Sequence, residues 1–240
     1  MPDALPSLEV VLRNIQDPGR WADIQSLTSI IAGIPSVRGL VYGNVAEVKF
    51  AEWLVDHGIP TEDMSRDPDH AKTSSDRTIA YQGRRFKIQL KSMQTGSIRQ
   101  QADGTFTARV QVDASDRREI RLPTGDVINT TCYLVGQFQV LAVPLQPFTS
   151  SWTFAFRLNE TLPRSKHYSA DVNQYLLKTL VDITYPLDAS AGWSDDLFAL
   201  LASAPDLGEV IEEREDVIAV RPPQTGEVAV IEEGDHADES

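Results

Sequence analysis

The sequence has few of the features that mark secreted, membrane or zinc-binding proteins. Cys132 is the only cysteine, which excludes an intramolecular disulfide and fits a reducing compartment. One cysteine and four scattered histidines do not form a zinc-binding pattern. No apolar run approaches the roughly 18 residues of a transmembrane helix, and the first residues lack the basic and apolar regions of a signal peptide. We therefore expect a cytoplasmic protein with no membrane partner.

Glycine-rich phosphate loops are also missing, since neither G-x-x-x-x-G-K-[ST] nor G-x-G-x-x-G occurs. The net charge of -13 argues at first against a nucleic-acid partner. However, residues 206–240 alone carry 12 acidic residues and two arginines, whereas residues 66–99 carry eight Lys or Arg against three Asp. A local basic excess is typical of phosphate contact. A solvated hairpin with ordinary surface charge explains it equally well.

The 240 residues are enough for one domain with extensions. Hydrophobic periodicity and turn residues predict helices at 7–33, 44–57, 170–182 and 194–203, and strands at 77–81, 85–92, 105–112, 129–135, 137–144 and 151–157. Strands in the middle with helices at both ends indicate a mixed α/β domain. We expect an N-terminal helical extension at 1–35, the domain at 36–204 and an acidic, disordered tail at 205–240.

The strand around residues 84–93 carries the strongest functional signal. Apolar and polar residues alternate strictly, so Phe86, Ile88 and Leu90 share one face while Lys87, Gln89 and Lys91 share the other. An amide oxygen and a cation two residues apart can hold a metal ion and a phosphate side by side. Asp76 lies upstream, before the strand that precedes the Gln82-Gly83 turn, and completes the spacing Asp-x12-Gln-x-Lys.

A second clue is Glu47 in the predicted helix at 44–57, which Asn44 is expected to cap and Gly58 to end. A helical wheel places Glu47 in the middle of the apolar face, with the other charged residues opposite. A carboxylate on a buried face is costly unless it is paired or bound to a metal. It is therefore either a site residue directed at the sheet or a structural residue, which forms a salt bridge to a core arginine or lies at the mouth of the core. The polar run 113–119 is either a second patch near a substrate or, the better-supported choice, a turn with local salt bridges.

Together these residues resemble the PD-(D/E)XK nuclease superfamily, whose members have a restriction-endonuclease-like fold. Glu47 matches the first glutamate of the family, Asp76 the motif aspartate, and Gln89-Leu90-Lys91 the (D/E)-x-K strand. Gln in place of an acid is similar to the Mrr-like branch. The later run from Tyr133 to Leu145 also resembles the sheet strands that follow this motif.

The resemblance implies metal-assisted hydrolysis of phosphodiester bonds, with Glu47, Asp76, Gln89 and Lys91 as the site. Asp76, Gln89 and Glu47 would serve a Mg²⁺ ion, or Mn²⁺, through oxygen ligands, and Lys91 would stabilise the phosphate. Because Gln89 is neutral, we expect weaker metal affinity than in a Glu-x-Lys enzyme. Possible DNA contacts are Arg77, Arg84, Arg85 and Lys87.

The expected function is that of a Mg²⁺-dependent DNA endonuclease of prokaryotic restriction or phage defence, acting as a homodimer or within a multi-protein defence complex. One alternative is a nuclease-fold subunit that binds DNA or a partner without cutting. Another is an α/β adaptor, for which Glu47, Asp76 and Lys91 would lie far apart. The acidic tail can serve as a DNA mimic or bind a basic partner, or, through residues 217–220 and 228–231, add a strand to a partner's sheet.

Overall fold

The computed structural model describes residues 23–59, 61–63 and 76–210. The α-helices are α1 (Ile24–Gly33), α2 (Pro35–Asp56), α3 (Gln146–Thr149), α4 (Ala170–Asn173) and α5 (Leu197–Ser203). The strands are β1 (Thr61–Asp63), β2 (Arg77–Tyr81), β3 (Arg84–Leu90), β4 (Arg99–Gln100), β5 (Phe106–Gln111), β6 (Asp113–Arg121), β7 (Val127–Cys132), β8 (Val140–Pro144), β9 (Phe154–Leu158), β10 (Leu180–Tyr185) and β11 (Glu209–Val210).

Three sheets organise these strands, and the largest is a mixed one. Its order is β1-β2-β3-β8-β9, with β11 also paired to β3. β3 and β8 run parallel, whereas the other neighbouring strands of this sheet run antiparallel. The second sheet has the order β10-β5-β4, and β6 with β7 forms a separate ribbon. The prediction of a mixed α/β domain is therefore confirmed.

The central sheet is the middle of three layers, and β8 shows this directly because all five of its residues are buried. Val140 and Ala142 pack in one apolar cluster with residues of α2 and α5. Leu141 and Val143 point to the opposite face and pack in a second cluster with residues of β5 and β10. A strand buried on both faces reads as a continuous apolar run rather than an alternating one, as the β8 sequence does.

Membrane-spanning potential is low in the described helices. None of them is by itself long and apolar enough to cross a bilayer, and only the bent pair α1 and α2, with an angle of 111° between its members, meets the length and composition test when joined.

A two-residue turn sets the register of the β2–β3 hairpin. Gln82 and Gly83 both have positive φ angles, 48° and 73°, which is the turn geometry that matches the twist of antiparallel strands. Tyr81 then pairs with Arg84, and the ladder continues to Arg77 opposite Ile88. The ladder ends there, and the N–H of Asp76, the residue before it, donates to the Ile88 carbonyl at 3.1 Å.

Helix α2 begins nine residues earlier than the sequence predicts, at Pro35 instead of Asn44. Proline suits the first turn of a helix because its missing N–H would have no intrahelical partner there. Asn44 lies inside the helix, where its Nδ2 donates to the Leu40 carbonyl at 2.8 Å. The predicted end is correct, since α2 stops at Asp56 and Gly58 follows with a φ of 72°.

The prediction of a helix at 170–182 is wrong beyond its first turn. Only Ala170–Asn173 is helical, and Leu180–Tyr185 forms β10, which pairs along its whole length with β5. Val181, Ile183 and Thr184 are β-branched and favour a strand.

The polar run 113–119, for which a turn was the better-supported prediction, is part of a strand. Residues 113–121 form β6 and pair with β7. The last helix starts at Leu197, later than the predicted residue 194, with Asp196 as its N-cap.

The folded chain continues past the predicted domain boundary at residue 204. Pro205–Leu207 forms a 3-10 turn and Glu209–Val210 forms β11 along the start of β3. Arg84 secures this segment through a hydrogen bond to the Gly208 carbonyl at 3.0 Å and an ion pair with Asp206 at 3.7 Å. The rest of the predicted tail, and the helix predicted before residue 23, lie outside the described residues.

Gly208 is expected to be required for this attachment. A Cβ atom there would lie 2.7 Å from Cζ of the buried Phe86 and 2.8 Å from Cβ of Arg84. We expect Gly208→Ala to lower the free energy of unfolding by about 1–3 kcal/mol through overpacking, measured by urea denaturation. Gly33→Ala is the matched control, because a methyl group at that position would have no atom within 4 Å. Equal stability of both variants would contradict this role.

Candidate active site at the end of the central hairpin

Asp76 and Gln89 form a hydrogen-bonded pair across the end of the β2–β3 hairpin. Gln89 Nε2 donates to Asp76 Oδ2 at 2.6 Å, and the Leu90 backbone N–H donates to the same oxygen at 2.8 Å. Among the described residues no hydrogen bond reaches Asp76 Oδ1. The carboxylate is therefore held rigidly by one oxygen while the other is available to a ligand.

Burial raises the pKa of Asp76 above its ordinary value, and this effect outweighs those that lower it. The opposing effects are the hydrogen bond from the Leu90 N–H, the charge of Lys91, the hydrogen bond from Gln89 and the charge of Arg77. An ionised carboxylate in such a place is unfavourable without additional positive charge. A cation beside Asp76 would lower this cost.

Gln89 is almost completely buried, with 3% of its surface exposed. Its strand partner on the parallel side is Leu141, inside the second apolar cluster. The predicted alternation along β3 is present, since Phe86, Ile88 and Leu90 pack in the first cluster. A neutral side chain at this buried position avoids a second charge beside Asp76, because an additional carboxylate would repel the first.

Lys91 follows on the same face of the chain as Gln89 and is half-buried. Its Nζ lies 5.4 Å from the centre of the Tyr133 ring, and its charge acts on Asp76. The guanidinium of Arg118 lies 5.1 Å from the same ring centre. Tyr133 therefore contacts two cations, and this cation–π arrangement restricts where the Lys91 ammonium group can lie.

Glu47 lies on the wall of a cleft that Lys91 also lines. The helical-wheel placement in the middle of the apolar face is wrong: the buried residues of α2 are Ala46, Phe50 and Leu54. Val48 and Val55 are 47% and 64% exposed. Glu47 is half-buried at the edge of the core-facing surface. The helical wheel counted the exposed Val48 and Val55 as part of the core-facing surface, because the sequence of the helix does not indicate which of its apolar residues pack on the sheet.

The cleft has a volume of about 420 Å³ and runs between α2 and the ends of β3 and β5. Its lining residues are Gly39, Leu40, Gly43, Asn44, Glu47, Leu90, Lys91, Ser92, Gln111, Asp113, Ala114 and Thr131. Asp113 is an acidic residue at this cleft, in the segment for which a turn with local salt bridges was the better-supported prediction. The location of Asp113 favours the other alternative, a polar patch near a substrate.

The predicted DNA contacts do not form one surface. Arg77 is buried, with 5% of its surface exposed, and donates to the backbone carbonyls of Asp76 at 3.3 Å and Glu47 at 3.4 Å. It thus joins α2 to the hairpin and is not placed to contact a phosphate. Arg84 holds the C-terminal segment. The assignment of Arg77 is corrected, because a buried guanidinium that is engaged by the backbone is not available to DNA. That of Arg84, whose side chain is 30% exposed, stays a prediction.

Arg85 is exposed and Lys87 is half-buried. At about 3.3 Å per residue along a strand, Arg85 lies about 20 Å from Lys91, at the opposite end of β3. The described part of the basic excess, from Arg77 to Arg99, is therefore spread along the sheet and not concentrated at the site.

A divalent metal ion fits the donor groups at Asp76. Mg²⁺ is commonly bound by one or two carboxylates together with several waters. Asp76 Oδ1 and the Gln89 amide oxygen are oxygen donors of the required kind, and Glu47 and Asp113 are further carboxylates on the wall of the cleft. Within residues 23–59, 61–63 and 76–210, no group of three or more His, Cys, Asp or Glu side chains converges as a metal-binding cluster. Any ion here therefore relies on Gln89 and water.

Comparison with known proteins gives limited similarity. No family model matches the chain, and no curated protein sequence matches it significantly. Among solved structures, it is similar to a bacterial homing endonuclease, I-Ssp6803I, with 13% identity over 56% of this chain and 85% of that chain and a TM-score of 0.32. A TM-score this low does not establish a shared fold, so the site's own residues must carry any functional conclusion.

The buried charge of Asp76 predicts a specific pH dependence of stability. Because its pKa is raised in the folded state, its stabilising contribution is complete below the ordinary pKa of aspartate and is lost as pH rises through the raised value. Asp76→Asn keeps an oxygen for the Leu90 N–H and carries no charge. We therefore expect the metal-free variant to be more stable than the native chain at neutral pH, with the difference shrinking in acid.

Urea denaturation across the acidic and neutral range in the presence of a chelator measures this difference. A variant that is less stable at neutral pH, or a difference that does not change with pH, would contradict the buried-charge interpretation.

Proposed function

We propose that this chain is a metal-dependent DNA endonuclease of the PD-(D/E)XK type that hydrolyses phosphodiester bonds. The observation that carries the proposal is the pairing of Asp76 with Gln89 through a 2.6 Å hydrogen bond, with Lys91 on the same face and Glu47 on the wall of the adjoining cleft. Such an arrangement has no evident value for packing, because it buries a carboxylate whose pKa is raised.

Each residue has a role that follows from its placement. Asp76 presents Oδ1, and Gln89 its amide oxygen, as ligands for a divalent ion. When bound, the ion supplies Lewis-acid stabilisation of charge on the phosphate. Lys91, whose position is restricted by Tyr133, places its ammonium group against a phosphate oxygen. Glu47 accepts a hydrogen bond from water in the cleft and so orients it toward the phosphorus atom.

We expect DNA as the substrate because the site residues resemble those of PD-(D/E)XK nucleases, and because Lys91 places one cation in the cleft for a phosphate oxygen. Residues 76–135 carry ten Lys or Arg against six Asp or Glu, although the whole chain is strongly acidic. A local basic excess of this kind favours the approach of a polyanion. A role in prokaryotic restriction or phage defence, as a homodimer or within a multi-protein complex, belongs to the same proposal and follows from the family resemblance of the four site residues.

Cleavage assays with purified protein test the assignment. Plasmid DNA incubated with Mg²⁺ or Mn²⁺ is expected to be cut, and a chelator is expected to stop the reaction. Asp76→Ala and Lys91→Ala should each lower the rate at least about 100-fold, since each removes a group that acts on the reacting phosphate. The control Lys166→Ala alters an exposed lysine outside the cleft and should leave the rate unchanged. Equal rates for all variants would refute these roles.

Gln89→Glu tests the metal ligand separately from cleavage. The new carboxylate would face Asp76 Oδ2 in place of a hydrogen-bond donor, so the metal-free protein should be less stable by about 1–3 kcal/mol. Mg²⁺ would offset the added negative charge. We therefore expect the melting temperature of Gln89→Glu to rise more steeply with Mg²⁺ concentration than that of the native chain. A parallel rise in both proteins would mean that Gln89 does not face the ion.

A second candidate function is a nuclease-like subunit that binds DNA without cutting it. It is favoured by one observation: Asp76 Oδ2 is already satisfied by Gln89 and the Leu90 N–H without the help of an ion. Calorimetric titration with Mg²⁺ and Mn²⁺ separates the two candidates. Binding heat that disappears in Asp76→Ala supports the enzyme, whereas DNA binding without any metal heat supports the subunit.

A further inference from the structure

The sheet β10-β5-β4 has one buried face and one exposed face. Ala108, Val110 and Ile183 are buried in the second apolar cluster. The alternate residues of β5, which are Thr107, Arg109 and Gln111, therefore face away from the core, and Arg109 and Gln111 are exposed. The exposed face of an antiparallel sheet is usually polar. Whether this face can bind a ligand therefore depends on which side chains it carries and on whether their hydrogen-bonding groups are already engaged.

The hydrogen-bonding groups on this face are largely open. In the part of the chain that the structure describes, the guanidinium of Arg109 has no hydrogen-bond or ion-pair partner. Gln111 Oε1 accepts from Gln94 Nε2 at 2.9 Å, which leaves the Gln111 amide N–H groups and the Gln94 carbonyl oxygen available. Thr107 accepts from Gln101 at 3.0 Å, and its hydroxyl can still donate.

This face is continuous with the candidate active site. Gln111 lines the same cleft as Lys91 and Glu47. The chain that leaves β3 after Lys91 runs directly along β5, with Met93 bridged to Val110 and the Gln94 N–H donating to the Arg109 carbonyl at 2.8 Å. A rigid DNA duplex positioned with a phosphate at Lys91 therefore has this face as its neighbour.

We propose that the exposed face of β5, through Arg109 and Gln111, lies in the major groove of duplex DNA and reads base edges beside the cleavage cleft. The proposal rests on the proposed function and adds to it the determinants of sequence specificity. Arg pairs with guanine and Gln with adenine through two hydrogen bonds each, and the major groove admits a two-stranded β-ribbon. Residues two apart on a strand are about 6.7 Å apart, which matches about two base-pair rises of 3.4 Å.

The neighbouring charges fit base reading better than phosphate binding. Asp182, the strand partner of Arg109, is exposed and lies 3.8 Å from Lys178 Nζ. A carboxylate on the face repels phosphates but can accept a hydrogen bond from cytosine. Arg99, the strand partner of Thr107, is tied back to the carbonyls of Gly96 and Ile98. The face thus offers mixed donors and acceptors and not a uniform cationic surface.

Selection of duplexes from a randomised DNA library tests the proposal. The full chain carrying Asp76→Ala is used in the presence of a chelator, so that binding is measured without cleavage. Arg109→Ala and Gln111→Ala are then added singly. The control is Arg121→Ala, an exposed arginine on β6 whose Nη1 contacts the Gly125 carbonyl at 3.2 Å and which is not part of this sheet.

The Asp76→Ala chain should enrich a defined sequence. Arg109→Ala and Gln111→Ala should each relax that preference at one or two base pairs and weaken binding to the selected duplex by about tenfold to a hundredfold relative to a scrambled duplex. Arg121→Ala should keep the selected sequence and change binding to both duplexes by the same factor.

Two results would overturn the proposal: an unchanged selected sequence in both β5 variants, or an equal weakening for selected and scrambled duplexes as in the control. These outcomes differ from failure of the proposed function. Sequence selection by a chain that never cuts DNA keeps the reading face and refutes the enzyme. Cleavage without any sequence preference does the reverse, and absence of all DNA binding refutes both.

Discussion

The register of the β2–β3 hairpin is the constraint on which the candidate site depends. The turn at Gln82 and Gly83 pairs Tyr81 with Arg84, and the ladder continues to Arg77 opposite Ile88. This register brings Asp76, the residue before the ladder, next to Ile88 and Gln89, so that its N–H donates to the Ile88 carbonyl and its carboxylate accepts from Gln89 Nε2. One more residue in the turn would shift the pairing by one position, and the side chains of one strand would then point to the other face of the sheet. The twelve residues between Asp76 and Gln89 thus have a structural explanation.

Burying the Asp76 carboxylate beside Gln89 costs folding free energy, which favours a functional role for the pair over a structural one. Burial raises the pKa of Asp76, and a buried polar pair is tolerated only when its hydrogen bonds are made. The two hydrogen bonds to Oδ2 meet that need for one oxygen. Gln89 keeps the number of buried carboxylates at this pair to one. In the proposed metal site, this would make folding less dependent on a bound ion and would also weaken the attraction for that ion.

β5 links the candidate active site to the proposed reading face. Its inward residues Ala108 and Val110 anchor it in the second apolar cluster, and its outward residues form the proposed reading face. Because the chain after Lys91 pairs with β5 immediately, the cleft and the face are held at a fixed distance by backbone hydrogen bonds. Rigid spacing of this kind is what a nuclease needs if the recognised sequence is to determine the bond that is cut.

Local patterns in the sequence determined the elements of the hairpin and the candidates Asp76, Gln89 and Lys91. Alternation along β3 and a two-residue turn act over a few residues, so they are readable without the fold. The mixed α/β class also followed from the order of the elements.

Tertiary structure alone decided the rest, because it depends on contacts between residues distant in the chain. Residues 180–185 are a strand because β5 lies beside them. Arg77 is engaged inside the fold by the carbonyl of Glu47, and Arg84 is engaged nearer the surface by the segment around Gly208. Glu47 lies at the edge of the core because Ala46, Phe50 and Leu54 of α2 are buried, whereas Val48 and Val55 are exposed. Asp113 and Gln111 reach the cleft because the end of β5 and the start of β6 lie beside the end of β3.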